Sequence, residues 1–565
     1  MKKQITTSFI LLLFVVNTQS QSKYPQNYFR VPLNIPMILA GTFGELRSAH
    51  FHSGIDLKTQ QKEGLRVYTA AEGYVSRIKI SNWGYGKAIY ITHPNGYTTV
   101  YAHLKKFNKK IEKYLRNYQY KVEKTEVQLF PKKGSLVVEK NEVIAFSGST
   151  GGFIAPHLHF EIRNTKTEKT INPMHFGLIP SDKKAPVIHH LRAYTFNDSS
   201  HVNSSNIEIP ISFKQLKTGI YKADDIEAYG KIGFAINTYD QQDGALNKNG
   251  IYKLEMFVNG SKTFEHKVET FSFNESKYIN LLIDYPFYAV HKRKYQKTFI
   301  EPENKLSTYA AIKGKGYIQI KDNLSYQVII KATDFVGNSS SLKISIIGKK
   351  TIPAIIKKEN KTAYQILKDQ PKKINLKNIQ LNFSANTFYK NQYLDIHIKD
   401  SILTVHRPEV PLHKSYTISF DVSTLPKEEK EKLYIAHVIK NKYYNYCSTI
   451  KNDSVFKTKT KSLGKFKLHK DIEAPKIYEC SFYENQKLSN YRFFTIKVKD
   501  KLTGLKTYRG EIDGNWIRME LNVKTNTLTY DFQDKELQNG KHTFTLIAMD
   551  NVGNTCTFTS KFQIK

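Results

Sequence analysis

The sequence predicts a mainly β protein: an N-terminal antiparallel, barrel-like β-sheet domain with a short helical insertion, followed by immunoglobulin-like β-sandwich domains. Three observations predict it. The 565 residues include 36 Tyr and 33 Phe, residue types that favour strands. Short alternating stretches are divided by Gly- and Pro-rich turns. An opening and closing pair also occurs twice: Ala185-Pro-Val-Ile188 with Ala332-Thr-Asp-Phe-Val-Gly-Asn338, then Ala474-Pro-Lys-Ile477 with Ala548-Met-Asp-Asn-Val-Gly-Asn554. That is an internal repeat. The chain is too long for one core. The divisions expected are a leader at 1–21, a first domain at 24–180, a sandwich at 185–348, a divergent β domain at 349–473 and a second sandwich at 474–565.

The leader reads as a secretory signal. Lys2 and Lys3 precede the apolar run Phe9 to Val16, and polar, small residues follow. Cleavage near Ser20 or Gln21 is expected, giving an exported protein, periplasmic or secreted. The apolar run is too short for a lasting membrane anchor, and no later stretch is long and apolar enough to be transmembrane. The formal charge of +36 suits polyanionic surroundings, although the lysines are scattered and a compositional bias explains them as well. Cys447, Cys480 and Cys556 are the only cysteines, which is no disulfide framework. Cys480 and Cys556 either pair or stay as buried thiols.

Tyr24 to Ala40, with Pro25, Pro32 and Pro36, reads as irregular chain wrapping onto the first domain. In the segment from Gly41 to Leu57, Gly54 lies between His52 and Asp56 and disfavours a helix. A tight loop entering a strand is expected, able to bring an imidazole and a carboxylate together. Short strands follow from Val67 onward. Pro94-Asn-Gly96 marks a hairpin turn, and its return strand runs from Tyr97 to His103. Alternation puts Tyr97, Thr99, Tyr101 and His103 on one face. Between 106 and 124 the period changes, with Phe107, Ile111, Tyr114, Leu115 and Tyr118 at helical spacing. This is the helical insertion.

Ser147 to Arg163 is a Gly-rich turn running into an alternating strand. His157, His159 and Glu161 share one face, and Leu158, Phe160 and Ile162 the other. Two imidazoles one strand repeat apart can aim at a single point, and His is the commonest zinc ligand. The later turns hold Asp334 and Asp550, which could bind calcium. A turn-capping role is the expected one.

His52-x-x-x-Asp56, Tyr101-Ala-His103-Leu and Pro156-His157-Leu-His159-Phe-Glu161 occur in that order, with Gly-Ile-Asp and Ser-Gly-Ser-Thr-Gly surroundings. Over about residues 37 to 177 the chain resembles the lysostaphin-type zinc metallopeptidases of bacterial cell walls. The Phe43-Gly-Glu-Leu-Arg47 lead-in and the inserted helix resemble their periplasmic members in Bacteroidetes-like bacteria. The resemblance implies one Zn²⁺ per chain held by His52, Asp56 and His159. It implies that His103 and His157 deprotonate water and steady the tetrahedral intermediate. Glu161 is either a support for His159 or a surface residue, and His50 a rim residue. The family's transition-state tyrosine has no counterpart immediately before the first ligand, with Tyr101 or His50 as substitutes. The implied activity is hydrolysis of peptidoglycan cross-links, the D-alanyl–diaminopimelate bond in a Gram-negative source. The competing reading is a non-catalytic or gated scaffold that activates other wall hydrolases. The partners expected are peptidoglycan and a periplasmic regulatory or docking protein on the C-terminal β domains, with no nucleic acid.

Overall fold

A computed structural model of the chain describes residues 23–152, 155–312, 314–356, 361–440 and 442–565. The leader read at 1–21 lies outside them. The fold is mainly β. In the first 180 residues, strand alternation builds a mixed-length antiparallel sheet. Its main path runs Leu39–Gly41, Ile55–Lys58, His157–Asn164, Tyr97–Ala102, Lys87–Thr92, Gly73–Ile80 and Val127–Leu129. Leu158, Phe160 and Ile162 point from the central strand into a core with Tyr101, Ile89 and Val75, all buried. A smaller sheet of Arg66–Tyr68, Val143–Ser147 and Leu104–Phe107 accompanies it.

The Pro-rich segment does wrap onto this core. Tyr24, Phe29 and Leu33 are buried in it, and Tyr68 donates its backbone N–H to the Pro32 carbonyl. Helix α1 (Lys109–Val122) starts where Asn108 accepts from the Ile111 N–H, a side-chain N-cap. It ends with Glu123 in the left-handed region. Its buried residues are Ile111, Leu115 and Gln119, while Tyr114 and Tyr118 are exposed. The apolar spacing therefore located the helix, but the two tyrosines counted with its inner face look outward.

The remaining strands form further two-layer β units with their own cores. The first core is not confined to the first 180 residues. Thr270–Phe271 pairs with Thr170–Ile171, and Val268, Phe271, Ile279 and Leu282 pack into it. Residues 363–471 fold as two five-stranded sheets and a two-stranded pair of Tyr364–Ile366 with Gln392–Leu394, and the last unit pairs a four-stranded with a five-stranded sheet. This last unit docks on helix α1. Arg518, itself buried, holds Asp534 through two hydrogen bonds of 2.7 and 2.8 Å and reaches Glu112 and Gln119 at 3.2 Å. Cys447, Cys480 and Cys556 are half-buried free thiols, so Cys480 and Cys556 do not pair.

Candidate metal centre

Strand register puts Asp56 directly opposite His159, with His157 opposite Lys58. Cross-strand partners share a face, so this pairing alone brings the carboxylate and the imidazole together. His52 arrives from the preceding loop. The loop can pass so close only because residue 54 is glycine: a Cβ there would lie 2.3 Å from the Phe160 carbonyl oxygen. His52 Nε2, Asp56 Oδ1 and His159 Nδ1 form a triangle with edges of 3.0, 2.9 and 3.0 Å. A tetrahedral zinc site with bonds of about 2.0–2.1 Å has edges of roughly 3.3 Å, so a small outward relaxation suffices.

The outer nitrogens of both imidazoles are engaged. His52 Nδ1 donates to the Thr42 carbonyl at 2.7 Å, and His159 Nε2 donates to Glu161 Oε1 at 2.8 Å. Each bond leaves the lone pair of the other nitrogen facing the triangle. Burial would raise the Asp56 pKa, but His52 and His159 hold it well below the usual carboxylate range. Its second oxygen accepts from Arg47 at 3.1 Å. His159 is raised to about 9: burial works against the charge, and Asp56 and Glu161 outweigh it. Two carboxylates thus draw positive charge to this point. Two neutral-capable nitrogens, one ionised oxygen and buried surroundings fit a zinc ion.

His103 and His157 flank the triangle, their ring centroids 4.7 Å apart. His103 Nδ1 donates to the Thr150 carbonyl and His157 Nδ1 to the Ala155 carbonyl, both at 2.9 Å. In a neutral ring these bonds place the lone pair on Nε2. Burial, then the neighbouring His159 and His157, push His103 down to about 3. Burial also lowers His157, against the pull of Asp56. Both rings are neutral near pH 7 and able to take a proton.

His103 corrects the strand reading. Its cross-strand neighbours show Tyr101 beside Phe160 on the core face and Ala102 beside His159 on the site face. Simple alternation would send His103 to the core. Instead the strand ends at Ala102 and His103 takes a φ of 58°, which turns its ring to the site. Tyr101 is fully buried and bonds Ala70 N–H and Thr99, so it cannot substitute for a transition-state tyrosine. His50 is exposed in the turn before His52.

The tyrosine that does reach the centre is Tyr85, from the Trp83-Gly-Tyr-Gly86 turn. Its ring stacks on His159 at 5.2 Å, and its hydroxyl donates to Glu161. Glu161 is fully buried rather than a surface residue. It also accepts from Ser53 and from Arg163 Nε, each at 2.6 Å. Burial would raise Glu161, but Arg163 and His159 keep it far below its ordinary value. The signal for Arg163 was its position on the Glu161 face of the strand. Tyr85 and Ser53 had no sequence signal.

Residues 50–173 match Peptidase family M23, and residues 363–471 match the Zu5-like domain. Over 133 residues the chain is 33% identical to the DD-carboxypeptidase/endopeptidase Mpg of Neisseria meningitidis serogroup B, covering 24% of each protein. Over 123 residues it is 30% identical to an uncharacterized metalloprotease of Haemophilus influenzae, covering 22% of this chain and 20% of that one. The chain thus spans about a quarter of the length of the curated relatives it matches. The catalytic domain of lysostaphin from Staphylococcus simulans is 24% identical, covering 25% of this chain and 91% of that one, with a TM-score of 0.19. A zinc-containing peptidase from Vibrio cholerae is 24% identical, covering 26% and 40%, with a TM-score of 0.20. The family match makes residues 50–173 a Peptidase family M23 domain within this chain.

Proposed function

We propose that the protein is an exported zinc endopeptidase that hydrolyses peptide cross-links of peptidoglycan, the D-alanyl–diaminopimelate bond in a Gram-negative wall. The observation that carries this reading is the buried triangle of His52, Asp56 and His159 with two neutral imidazoles beside it. The three would hold one Zn²⁺, which supplies the Lewis acidity that polarises a peptide carbonyl and acidifies water. Thr42, Glu161 and Tyr85 keep the first two imidazoles in one tautomer and orientation. His103 and His157 take up the proton released when water attacks, and return it to the leaving amine. Such acid–base help is worth about 10²–10⁴-fold in rate. The name of the Neisseria relative supports a D,D-bond as substrate, and the basic surface suits the carboxylates of stem peptides.

A second reading is a gated enzyme or an activator of other hydrolases. It draws on one observation: the five site residues are 6% exposed or less, which leaves a peptide little access. One experiment separates the two. Mature protein loaded with zinc is incubated with purified sacculi, and the muropeptides are weighed by mass spectrometry beside a His159→Ala control. Loss of cross-linked dimers with gain of monomers, absent in the control, is the expected result. Intact cross-links with zinc bound would transfer the case to the gated reading.

A further inference from the structure

The repeat that divides the C-terminal region carries aspartate at three matching offsets, and folding gathers each set of three. Asp182 and Asp471 stand three residues before Ala185-Pro and Ala474-Pro. Asp240 and Asp500 stand four before Gly244 and Gly504. Asp334 and Asp550 stand three before Gly337-Asn338 and Gly553-Asn554. In each set one carboxylate oxygen from every residue lies within 4.8 Å of the others.

The first set stands where the linker leaves the peptidase domain. Asp334 is committed to its turn through Gly337 N–H at 2.7 Å and Asn338 at 2.8 Å. Asp182 accepts from the Lys184 N–H. Asp240 differs. It is 5% exposed, and its Oδ1 is buried with no hydrogen-bond partner among the described residues. A buried carboxylate oxygen left so is costly. The three carboxylates line one cavity of about 30 Å³, with Gln242, Asn249 and Tyr252 on its wall, room for one small occupant. The nearby Lys184 ammonium reaches the Gln242 carbonyl instead. Burial, then the charges of Asp182 and Asp334, push Asp240 up to about 7, and the Gln241 N–H and the Lys184 charge offset this only in part.

We propose that Asp182, Asp240 and Asp334 form a calcium site that locks the peptidase domain to the β unit behind it. The donors are all oxygen, as a hard cation requires, and Ca–O bonds of about 2.3–2.6 Å span opposite ligands roughly 4.6–5.2 Å apart. Mg²⁺ usually keeps several waters, for which a cavity of about 30 Å³ has little room. The ion would tie the linker, the 240–250 loop and the 334–338 turn. That loop reaches the metal centre. Gln242 accepts from Leu39 N–H at 2.8 Å, and Gly250 N–H donates to Thr42 Oγ1 at 3.0 Å. Leu39 lies on the strand beside Asp56, and Thr42 orients His52. The Asp471, Asp500 and Asp550 set repeats the pattern, but among the described residues it has no carboxylate oxygen that, like Asp240 Oδ1, is buried without a hydrogen-bond partner. It serves as the internal reference.

The test is calorimetric titration of CaCl₂ into the zinc-loaded full chain, with thermal melts in calcium and in a calcium-selective chelator. Asp240→Asn and Asp182→Asn are the variants, and zinc content is assayed in each. The expected result is calcium binding and a calcium-dependent rise in Tm. Each variant should weaken one equivalent at least tenfold and flatten that rise, with zinc content unchanged. Absence of binding, or variants that bind like the parent chain, would overturn the proposal. So would an Asp240→Asn chain whose Tm rises equally in both conditions, since relief of buried charge would then be the whole effect.

Discussion

At the residue scale the centre depends on Glu161, which touches the triangle through His159. Its two oxygens collect His159, Ser53, Tyr85 and Arg163. It fixes the outward nitrogen of His159 and so presents the inward one. Losing such a partner typically costs about 10–100-fold in metal affinity. Glu161→Gln is therefore expected to weaken zinc by about that factor in competition with a chromophoric chelator. His103→Ala removes a proton acceptor but no donor of the triangle. Turnover is expected to fall by about 10²–10⁴-fold with zinc content unchanged. Equal loss of zinc in this variant would place His103 among the ligands instead. The shared face of His157 and His159 could be read from their spacing, because that spacing follows strand period. Tyr85 could not: it is 76 residues from Glu161 in the chain.

At the element scale, two features hold the strands that carry the centre. Gly54 lets the His52 loop cross the His157–Asn164 strand at van der Waals range. Gly54→Ala drives a methyl group into the Phe160 carbonyl and is expected to cost about 1–3 kcal/mol, read from urea unfolding. His93 closes the hairpin between Lys87–Thr92 and Tyr97–Ala102. It donates to the Glu72 carbonyl and meets Thr99 Oγ1 at 2.7 and 2.8 Å. Burial lowers it to about 4. The unfolded chain, with an ordinary value near 6.5, takes up the proton first as pH falls. The stability tied to neutral His93 is thus complete above pH 6.5 and lost as pH falls to about 4. The loss amounts to about 3 kcal/mol. His266, lowered to about 3 by burial, acts in the same direction. His93→Gln should flatten the acid limb of the Tm–pH curve; an unchanged limb would remove His93 from this account.

At the scale of the whole molecule, the last β unit packs back on the first domain. Arg518 bridges Asp534 to helix α1, Lys87 pairs with Glu520 at 2.8 Å, and Lys524 donates to the Ser149 carbonyl. Ser149 adjoins Thr150, whose carbonyl orients His103. The tail thus reaches the loop that positions a proposed proton acceptor. Arg518→Ala leaves the buried Asp534 carboxylate with only Arg116 at 3.6 Å as its ion-pair partner among the described residues, a loss below about 3–5 kcal/mol, the cost of a fully broken buried pair. The expected outcome is a larger radius of gyration by X-ray scattering and faster proteolysis ahead of residue 476, with zinc retained. An unchanged profile would show that the remaining contacts suffice for docking.

The sequence by itself determined the β character, the place of helix α1 and the residues able to form a metal triangle. These depend on short-range periodicity, turn chemistry and motif order, which neighbouring residues carry. Only the tertiary structure decided which face His103 occupies, because one left-handed residue at a strand end reverses the alternation. It alone made Glu161 a buried hub, drew Tyr85 onto His159, and gathered Asp182, Asp240 and Asp334 into one cavity. It also turned the helical insertion into the seat of the C-terminal unit. Each of these depends on pairing between segments far apart in the chain, and no local pattern records which distant strand a face will meet.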